Sequence, residues 1–227
     1  YKTLIDEVKK TGADLWIMFD GDGDRLWFVD HNGNIVEGDV ITWIIASDLL
    51  RKKWSWIIVH DVFTSRSVIN RIWFLGWTPV KCRVGHTHVK RLMMENWAIF
   101  GWENSWHLFF PEIWWFEFPL LALFHVLSEM EHQEQSLSKL ADPYLLYDKK
   151  PLQKIRVENT QKSLEAVSTY YIAEGYALDM TDGIGVYDDD FRFVLRPSNT
   201  EPVLKLIIES KNKETSDQIL QDIMKLI

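Results

Sequence analysis

The sequence predicts an α/β protein: a mostly parallel-sheet domain with helices on both faces, followed by a smaller α+β domain at the C-terminal end. Three observations predict it. Between residues 15 and 131, short apolar runs alternate with amphipathic ones, the order that builds βαβ units. The stretch Glu129–Lys150 is polar and charged, contains Pro143 and is followed by Pro151, which marks a boundary. Beyond it strand patterns adjoin one another, as in an antiparallel sheet with helices on one side.

The elements follow in order. Leu4, Ile5 and Val8 recur at helical spacing and Gly12 stops that helix. Leu15–Phe19 is wholly apolar, the pattern of a strand buried on both faces, and it ends abruptly at Asp20. Leu26–Val29 reads as a second strand, with a turn at His31–Asn34. Asp39 is expected to cap a helix running to about Lys53, with Val40, Ile44, Ile45 and Leu49 on one face. Strands are expected at Trp56–His60, Pro79–Val84, Trp97–Phe100 and Leu108–Phe110, and helices at Ser65–Leu75, Thr87–Asn96 and Leu120–Glu131. In the last part, strands are expected at 152–158, 176–181, 183–187, 191–195 and Val203–Glu209, with helices at 161–173 and from Ser216. Ligand sites in such sheets lie at the carboxyl ends of strands, where the polar clusters of this chain fall.

Composition narrows the function. The 227 residues hold 25 Lys plus Arg against 33 Asp plus Glu, a formal charge of −8, which argues against a general nucleic-acid binder. Hydrophobic residues at 47% and charged residues at 26% fit a globular protein. No apolar run reaches the roughly 18–20 residues of a membrane span, and Tyr1–Glu7 lacks the apolar core of a signal peptide. The single cysteine, Cys82, excludes an internal disulfide and a cysteine-based zinc site and fits a reducing compartment, so a cytoplasmic protein is expected. All 12 tryptophans lie between Trp16 and Trp115.

Four clusters carry chemistry. In Asp20-Gly21-Asp22-Gly23-Asp24-Arg25 three carboxylates alternate with two glycines. Such crowding of like charge calls for a cation, and hard oxygen ligands favour Mg²⁺ or Ca²⁺ over zinc. The loop is not an EF-hand, since His31 occupies the twelfth position, where a bidentate Glu is needed. Glu103, Asn104, Ser105 and His107 supply donors, acceptors and a titratable group suited to a polyhydroxylated ligand. Arg196, Ser198, Asn199 and Thr200 with the loop backbone form a candidate anion nest. Gly85-His86 with Lys90 stands at a strand-to-helix turn, where an anion could meet the helix start. A solvated acidic turn, a plain polar loop, a hairpin loop and surface histidines are the respective alternatives.

The order of these clusters resembles the α-D-phosphohexomutase superfamily, which includes phosphoglucomutase/phosphomannomutase. Asp20–Arg25 is similar to the family's DGDGDR metal loop, Gly85-His86 with Lys90 to its G-H-x-x-x-K turn, and Glu103, Ser105 and His107 to its sugar-binding GE-x-SGH loop. Arg196–Pro202 is similar to its RPSGTEP phosphate-binding loop, with Asn199 in place of Gly. The resemblance implies Mg²⁺ held by Asp20, Asp22 and Asp24 and reversible phosphoryl transfer between O1 and O6 of a hexose phosphate, glucose or mannose, through a hexose bisphosphate. It implies catalytic roles for Arg25, His107, His86 and Lys90, sugar contacts from Glu103 and Ser105, and a phosphate grip from Arg196, Ser198, Asn199 and Thr200. Residues 1–34 would be the tail of the metal-loop domain, 35–147 the α/β sugar-binding domain and 148–227 the phosphate-binding domain.

The chain departs from that pattern in three ways. A phosphoserine segment like T-A-S-H-N-P is absent, so the expectation is a C-terminal fragment, inactive alone, whose partners are hexose phosphates and the missing N-terminal domains of its parent chain. Tryptophan stands where the family usually has glycine at Trp16, Trp27, Trp77, Trp97, Trp102 and Trp106, which points to engineering or misidentified residues. Phe118-Pro119 replaces a usual Asp-Gly pair, and Phe63 stands where some members carry Lys. A non-catalytic sugar-phosphate or metal-binding module of the same ancestry, and an unrelated phosphatase with an Asp nucleophile, are the competing readings.

Overall fold

The computed structural model describes residues 6–7, 10–52, 56–144, 146–198 and 201–227. The chain divides into two compact units, Tyr1–Leu145 and Leu146–Ile227. Of the helix expected at the start, Leu4, Ile5 and Val8 lie outside the described residues.

The first unit begins with a hairpin. β1 (Leu15–Phe19) runs antiparallel to β2 (Leu26–Asp30), Leu15 opposite Asp30 and Phe19 opposite Leu26. The apolar run 15–19 is therefore not buried on both faces: Leu15 and Ile17 lean on the core, but Phe19 is 41% exposed. Helix α1 (Gly38–Leu50) is buried along most of its length. Asp39 does not cap it. Glu37 holds the cap position, with no side-chain bond to the helix's first N–H groups, and the buried Asp39 instead accepts the backbone N–H of Ser65 on Oδ1 at 3.1 Å.

The unit then alternates β3 (Ile57–Asp61), α2 (Arg66–Phe74), β4 (Thr78–Cys82), α3 (His86–Asn96), β5 (Phe100–Trp102), β6 (Leu108–Phe110), β7 (Phe116–Glu117), α4 (Pro119–Gln133) and α5 (Leu137–Ala141). The five-stranded sheet has the order β4-β3-β5-β6-β7. It is parallel across β4-β3-β5 and antiparallel across β5-β6-β7, so the expected parallel character holds for only half the pairings. Successive strand residues point to opposite faces. Ile58 joins α1, α2 and α4 residues such as Ile45, Val68 and Val126, while Val59 joins Val89 and Met93 of α3. Helices thus cover both faces, and each fully buried aliphatic side chain contributes about 1.5–3 kcal/mol. Gly101 lets α3 close on the sheet, because a Cβ there would lie 2.8 Å from Val89 Cγ1. The strand expected from Trp97 begins only at Phe100, since Trp97 closes α3 in a left-handed conformation.

The second unit contains β8 (Asp148–Lys149), β9 (Gln153–Arg156), α6 (Thr160–Ala173), β10 (Leu178–Asp179), β11 (Ile184–Tyr187), β12 (Phe191–Pro197), β13 (Val203–Ser210) and α7 (Lys213–Leu226). All its pairings are antiparallel, in the order β10-β11-β12-β13-β8 with β9 also on β13. Phe193, Leu195, Leu204, Leu206 and Ile208 form one core with Val167 and Tyr171 of α6 and Ile219 and Ile223 of α7. Both helices therefore lie on one face, as an α+β unit requires. α7 starts at Lys213 rather than Ser216 because the Asn212 side chain accepts the N–H of Thr215 at 2.9 Å. Among the described residues no helix is long and apolar enough to cross a membrane.

Candidate functional site

The acidic loop is the tip of the β1–β2 hairpin. Gly23 adopts φ 76°, the left-handed turn glycine supplies without strain. Asp20 Oδ1 accepts the backbone N–H of Gly23 at 3.1 Å and of Arg25 at 3.2 Å, and Arg25 Nε donates to Asp20 Oδ2 at 2.6 Å. Partial burial works to raise the Asp20 pKa, but the Arg25 backbone and guanidinium outweigh it and hold the acid at about 2. Carboxylate oxygens of Asp20, Asp22 and Asp24 come within 4.8 Å of one another. Two oxygens across a Mg²⁺ or Ca²⁺ stand roughly 4–5 Å apart, so this set fits a divalent cation. Asp24 Oδ1 is shielded from water and accepts no hydrogen bond, although Arg25 Nε stands 3.4 Å away. That orphaned oxygen fits a metal ligand.

The second cluster lies between β5 and β6. Its turn is closed by Glu103 N–H to His107 O at 3.1 Å and Trp106 N–H to Glu103 O at 2.9 Å. Glu103 is buried; its Oε1 accepts the N–H of Gly85 at 2.5 Å, and its Oε2 accepts the Ser105 hydroxyl at 3.3 Å. Ser105 Oγ stands 2.7 Å from His107 Nδ1. His107 Nε2 in turn reaches to 3.6 Å from Asp24 Oδ2. The histidine thus joins the two loops into one site.

Glu103 also ties in the third cluster. Gly85, the residue it holds, takes φ 137° at the start of α3, and His86 opens that helix exposed to solvent. Lys90, one turn further on, is engaged by Glu117 Oε2 at 2.9 Å and lies 4.5 Å from the Phe116 ring centroid. The structure brings together Asp20, Asp22, Asp24, Arg25, Glu103, Ser105 and His107, sets His86 beside them, and ties Lys90 to Glu117.

The tryptophans near this site are accommodated unevenly. Trp102 is fully buried and Trp106 lies against Trp27 and Trp102 at 5.6 and 6.1 Å between ring centroids. An indole beside Glu103 therefore finds room, yet Trp106 takes φ 72°. A groove of about 520 Å³ lined by His31, Glu37, Ser138 and Lys139 includes none of the predicted site residues.

In the second unit Arg196 is buried, with Nε 2.8 Å from Asp182 Oδ2. Gly183 makes that approach possible, since a Cβ there would lie 2.7 Å from Arg196 Cα. Ser198 N–H donates to Val203 O at 2.9 Å. Asn199 and Thr200 lie outside the described residues.

The sequence reading missed Asp61. It ends β3, is buried, and its carboxylate accepts the N–H of Asn104 at 2.9 Å. The signal was present: an apolar strand ending on an acid, the same pattern that singled out Asp20. Burial, then the charges of Glu103 and Asp39, push its pKa to about 7 against the pull of the Asn104 and Phe63 N–H groups.

The descriptions "Phosphoglucomutase/phosphomannomutase, alpha/beta/alpha domain III" and "C-terminal domain" of the same family match residues 37–147 and 152–226. The chain belongs to the phosphoglucomutase/phosphomannomutase family. A phosphomannomutase of Methanocaldococcus jannaschii is 40% identical over 226 residues, covering 100% of this chain and 50% of its own length. A phosphoglucosamine mutase of Desulfotalea psychrophila is 31% identical, covering 99% of this chain and 48% of its own length. The crystal structure of a phosphoglucomutase/phosphomannomutase family protein from Burkholderia thailandensis superposes with a TM-score of 0.86 at 26% identity, covering 99% of this chain and 48% of that one. The chain spans about half the length of the curated phosphohexomutases it matches.

Proposed function

We propose that this chain forms the metal-, sugar- and phosphate-binding part of a phosphohexomutase. The enzyme would interconvert hexose 1-phosphate and hexose 6-phosphate, of glucose or mannose, through a bisphosphate intermediate. The observation that carries the reading is the junction at His107, where a carboxylate set fit for a divalent cation meets a buried Glu103 and its Ser105 partner. A cation recognised by Asp20, Asp22 and Asp24, assigned as Mg²⁺, would draw charge from a transferring phosphoryl group.

The chain's own groups have separable tasks. Arg25, fixed by Asp20, offers its remaining N–H groups to phosphoryl oxygens. Glu103 and Ser105 hold sugar hydroxyls, and His107, set between Ser105 and Asp24, holds or releases a proton at Nε2. His86 and Lys90 would assist at the edge of the site. Arg196, oriented by Asp182, would grip the non-transferring phosphate together with Ser198, Asn199 and Thr200. The phosphoryl donor would come from a serine loop that these 227 residues do not contain.

Calorimetric titration tests this reading. Asp22→Asn is expected to weaken Mg²⁺ binding at least about tenfold and leave the fold intact, and Glu103→Gln to weaken glucose 6-phosphate or mannose 6-phosphate binding alone. Equal Mg²⁺ affinities for wild type and Asp22→Asn would refute the metal assignment. Turnover of glucose 1-phosphate is expected only when a serine-bearing segment is supplied; none even then would leave a non-catalytic binding module.

A further inference from the structure

We propose that Asp61 is the positioning residue of the sugar loop: from the end of β3 its carboxylate clamps the Asn104 amide to the turn at Phe63. It thereby fixes where Glu103 and Ser105 present their oxygens. The inference rests on the reading of residues 103–107 as the sugar-recognition loop. Its geometry is independent of that reading.

Asp61 sits on the strand between β4 and β5, and its side chain is buried. Oδ2 accepts the N–H of Asn104 at 2.9 Å, across 43 residues of sequence. Oδ1 accepts the N–H of Phe63 at 2.9 Å and the Thr64 hydroxyl at 3.3 Å. Both carboxylate oxygens thus take a backbone N–H, one from each of two loops. An asparagine has one such oxygen and would turn its NH₂ group toward the other N–H, so the site requires an acid. Burying an acid here is unfavourable, because Glu103 from the sugar loop and Asp39 from α1 face it with like charge. His60 lies beside them, with Nδ1 2.8 Å from the Asp61 carbonyl oxygen. A carboxylate kept in such surroundings serves the geometry of the loop. With its pKa at about 7, Asp61 changes charge near neutrality, and protonation turns an acceptor of the clamp into an O–H.

Amide NMR across pH 5–9, with titration of mannose 6-phosphate in the presence of Mg²⁺, tests the clamp. In the wild type the Asn104 amide should shift with a midpoint near 7, and sugar-phosphate affinity should fall as pH drops through it. In Asp61→Asn the amide should stay flat, affinity should fall about tenfold at pH 8, and Mg²⁺ affinity should not change. Wild type and variant should converge below pH 6. Asn104→Pro, which removes the clamped N–H and leaves Asp61 in place, should lose the same affinity. An Asn104 amide that titrates identically in Asp61→Asn would overturn the proposal. If the wild type binds no hexose phosphate, the functional reading falls and the Asn104 amide alone decides the clamp.

A separate observation carries a second inference. Among the described residues five non-glycines take left-handed φ, and four are tryptophan: Trp97 at 52°, Trp106 at 72°, Trp114 at 61° and Trp115 at 60°. A bulky side chain in that region is strained, and glycine is the residue that adopts it freely. Trp97 occupies the helix-end position where glycine is the usual stop. The indole N–H groups of Trp16, Trp77, Trp102 and Trp115 are buried without a hydrogen-bond partner, whereas buried tryptophans usually find one. We infer that the codons for Trp97, Trp106, Trp114 and Trp115 are read as glycine in the source cell. UGA does this chemistry of translation: some codes read it as tryptophan and others as glycine. Gene sequencing with peptide mass spectrometry of protein from its own cell is the test. UGA codons and glycine masses at the four positions are expected; tryptophan masses would overturn the inference.

Discussion

The sheet of the second unit and the end of β3 in the first bury charge in opposite ways, although Asp48 on α1 of the first is itself paired, with Arg51 Nη2 at 2.6 Å. In the second, Arg192 lies 2.5 Å from Glu209 and Arg196 lies 2.8 Å from Asp182, each acid met by a guanidinium. In the first, Asp61 is met by backbone N–H groups, with Glu103 and Asp39 adding like charge. A buried ion pair ties two elements of a sheet and stays as it is. A buried acid held by N–H groups against like charge remains poised to take up a proton, and here it stands under a polar loop. Backbone strain separates the units too. Among the described residues the five left-handed non-glycines lie in the first unit, whereas the left-handed residues of the second are Gly175 and Gly183.

The comparison is broken most severely by removing one guanidinium. Arg192→Met strands a buried Glu209 and should cost about 3–5 kcal/mol in urea unfolding of the second unit, while pairing it with Glu209→Leu should restore most of that. Asp61 should instead give a pH-dependent effect. Its folded pKa is raised to about 7 above an unfolded value of roughly 4, so wild-type stability should fall as pH rises from 4 to 7 and level off above. Asp61→Asn should flatten that slope, and a parallel slope in both proteins would show that the acid is not the cause. A smaller gain should follow from Trp97→Gly and Trp114→Gly, whose side chains are largely exposed and whose φ values are left-handed. Each should raise stability by about 1 kcal/mol, seen as a higher melting temperature. Least of all, Lys225→Ala breaks an exposed ion pair with Asp222 and should leave the unfolding midpoint unchanged.

Hydrophobic period made most elements legible. β1, β6 and α2 fall where the pattern puts them, α2 starting one residue later because the Ser65 side chain caps it by accepting the N–H of Ser67. β7 and α5 escaped notice, since two- and five-residue elements carry no period to read. The role of Asp39 was misread because an acid near a helix start suits a cap, and only the tertiary partner Ser65 shows otherwise. The acidic loop was legible from charge spacing, and the Glu103–His107 cluster from its donor set. Their meeting at His107 was not, since it depends on how the hairpin packs against the β5–β6 turn. Asp61 stayed hidden for the same reason: its partner Asn104 lies far away in sequence.

The latch between Asp20 and Arg25 has one more consequence. An acid held at about 2 stays ionised wherever the protein is folded near neutrality, and its contribution, present above roughly pH 4, fades only as acidity approaches pH 2. The hairpin tip is thus shaped before any visitor arrives. Capture of an ion there spends little chain entropy, so the pace of exchange should follow the shedding of the ion's own water rather than a rearrangement of the peptide.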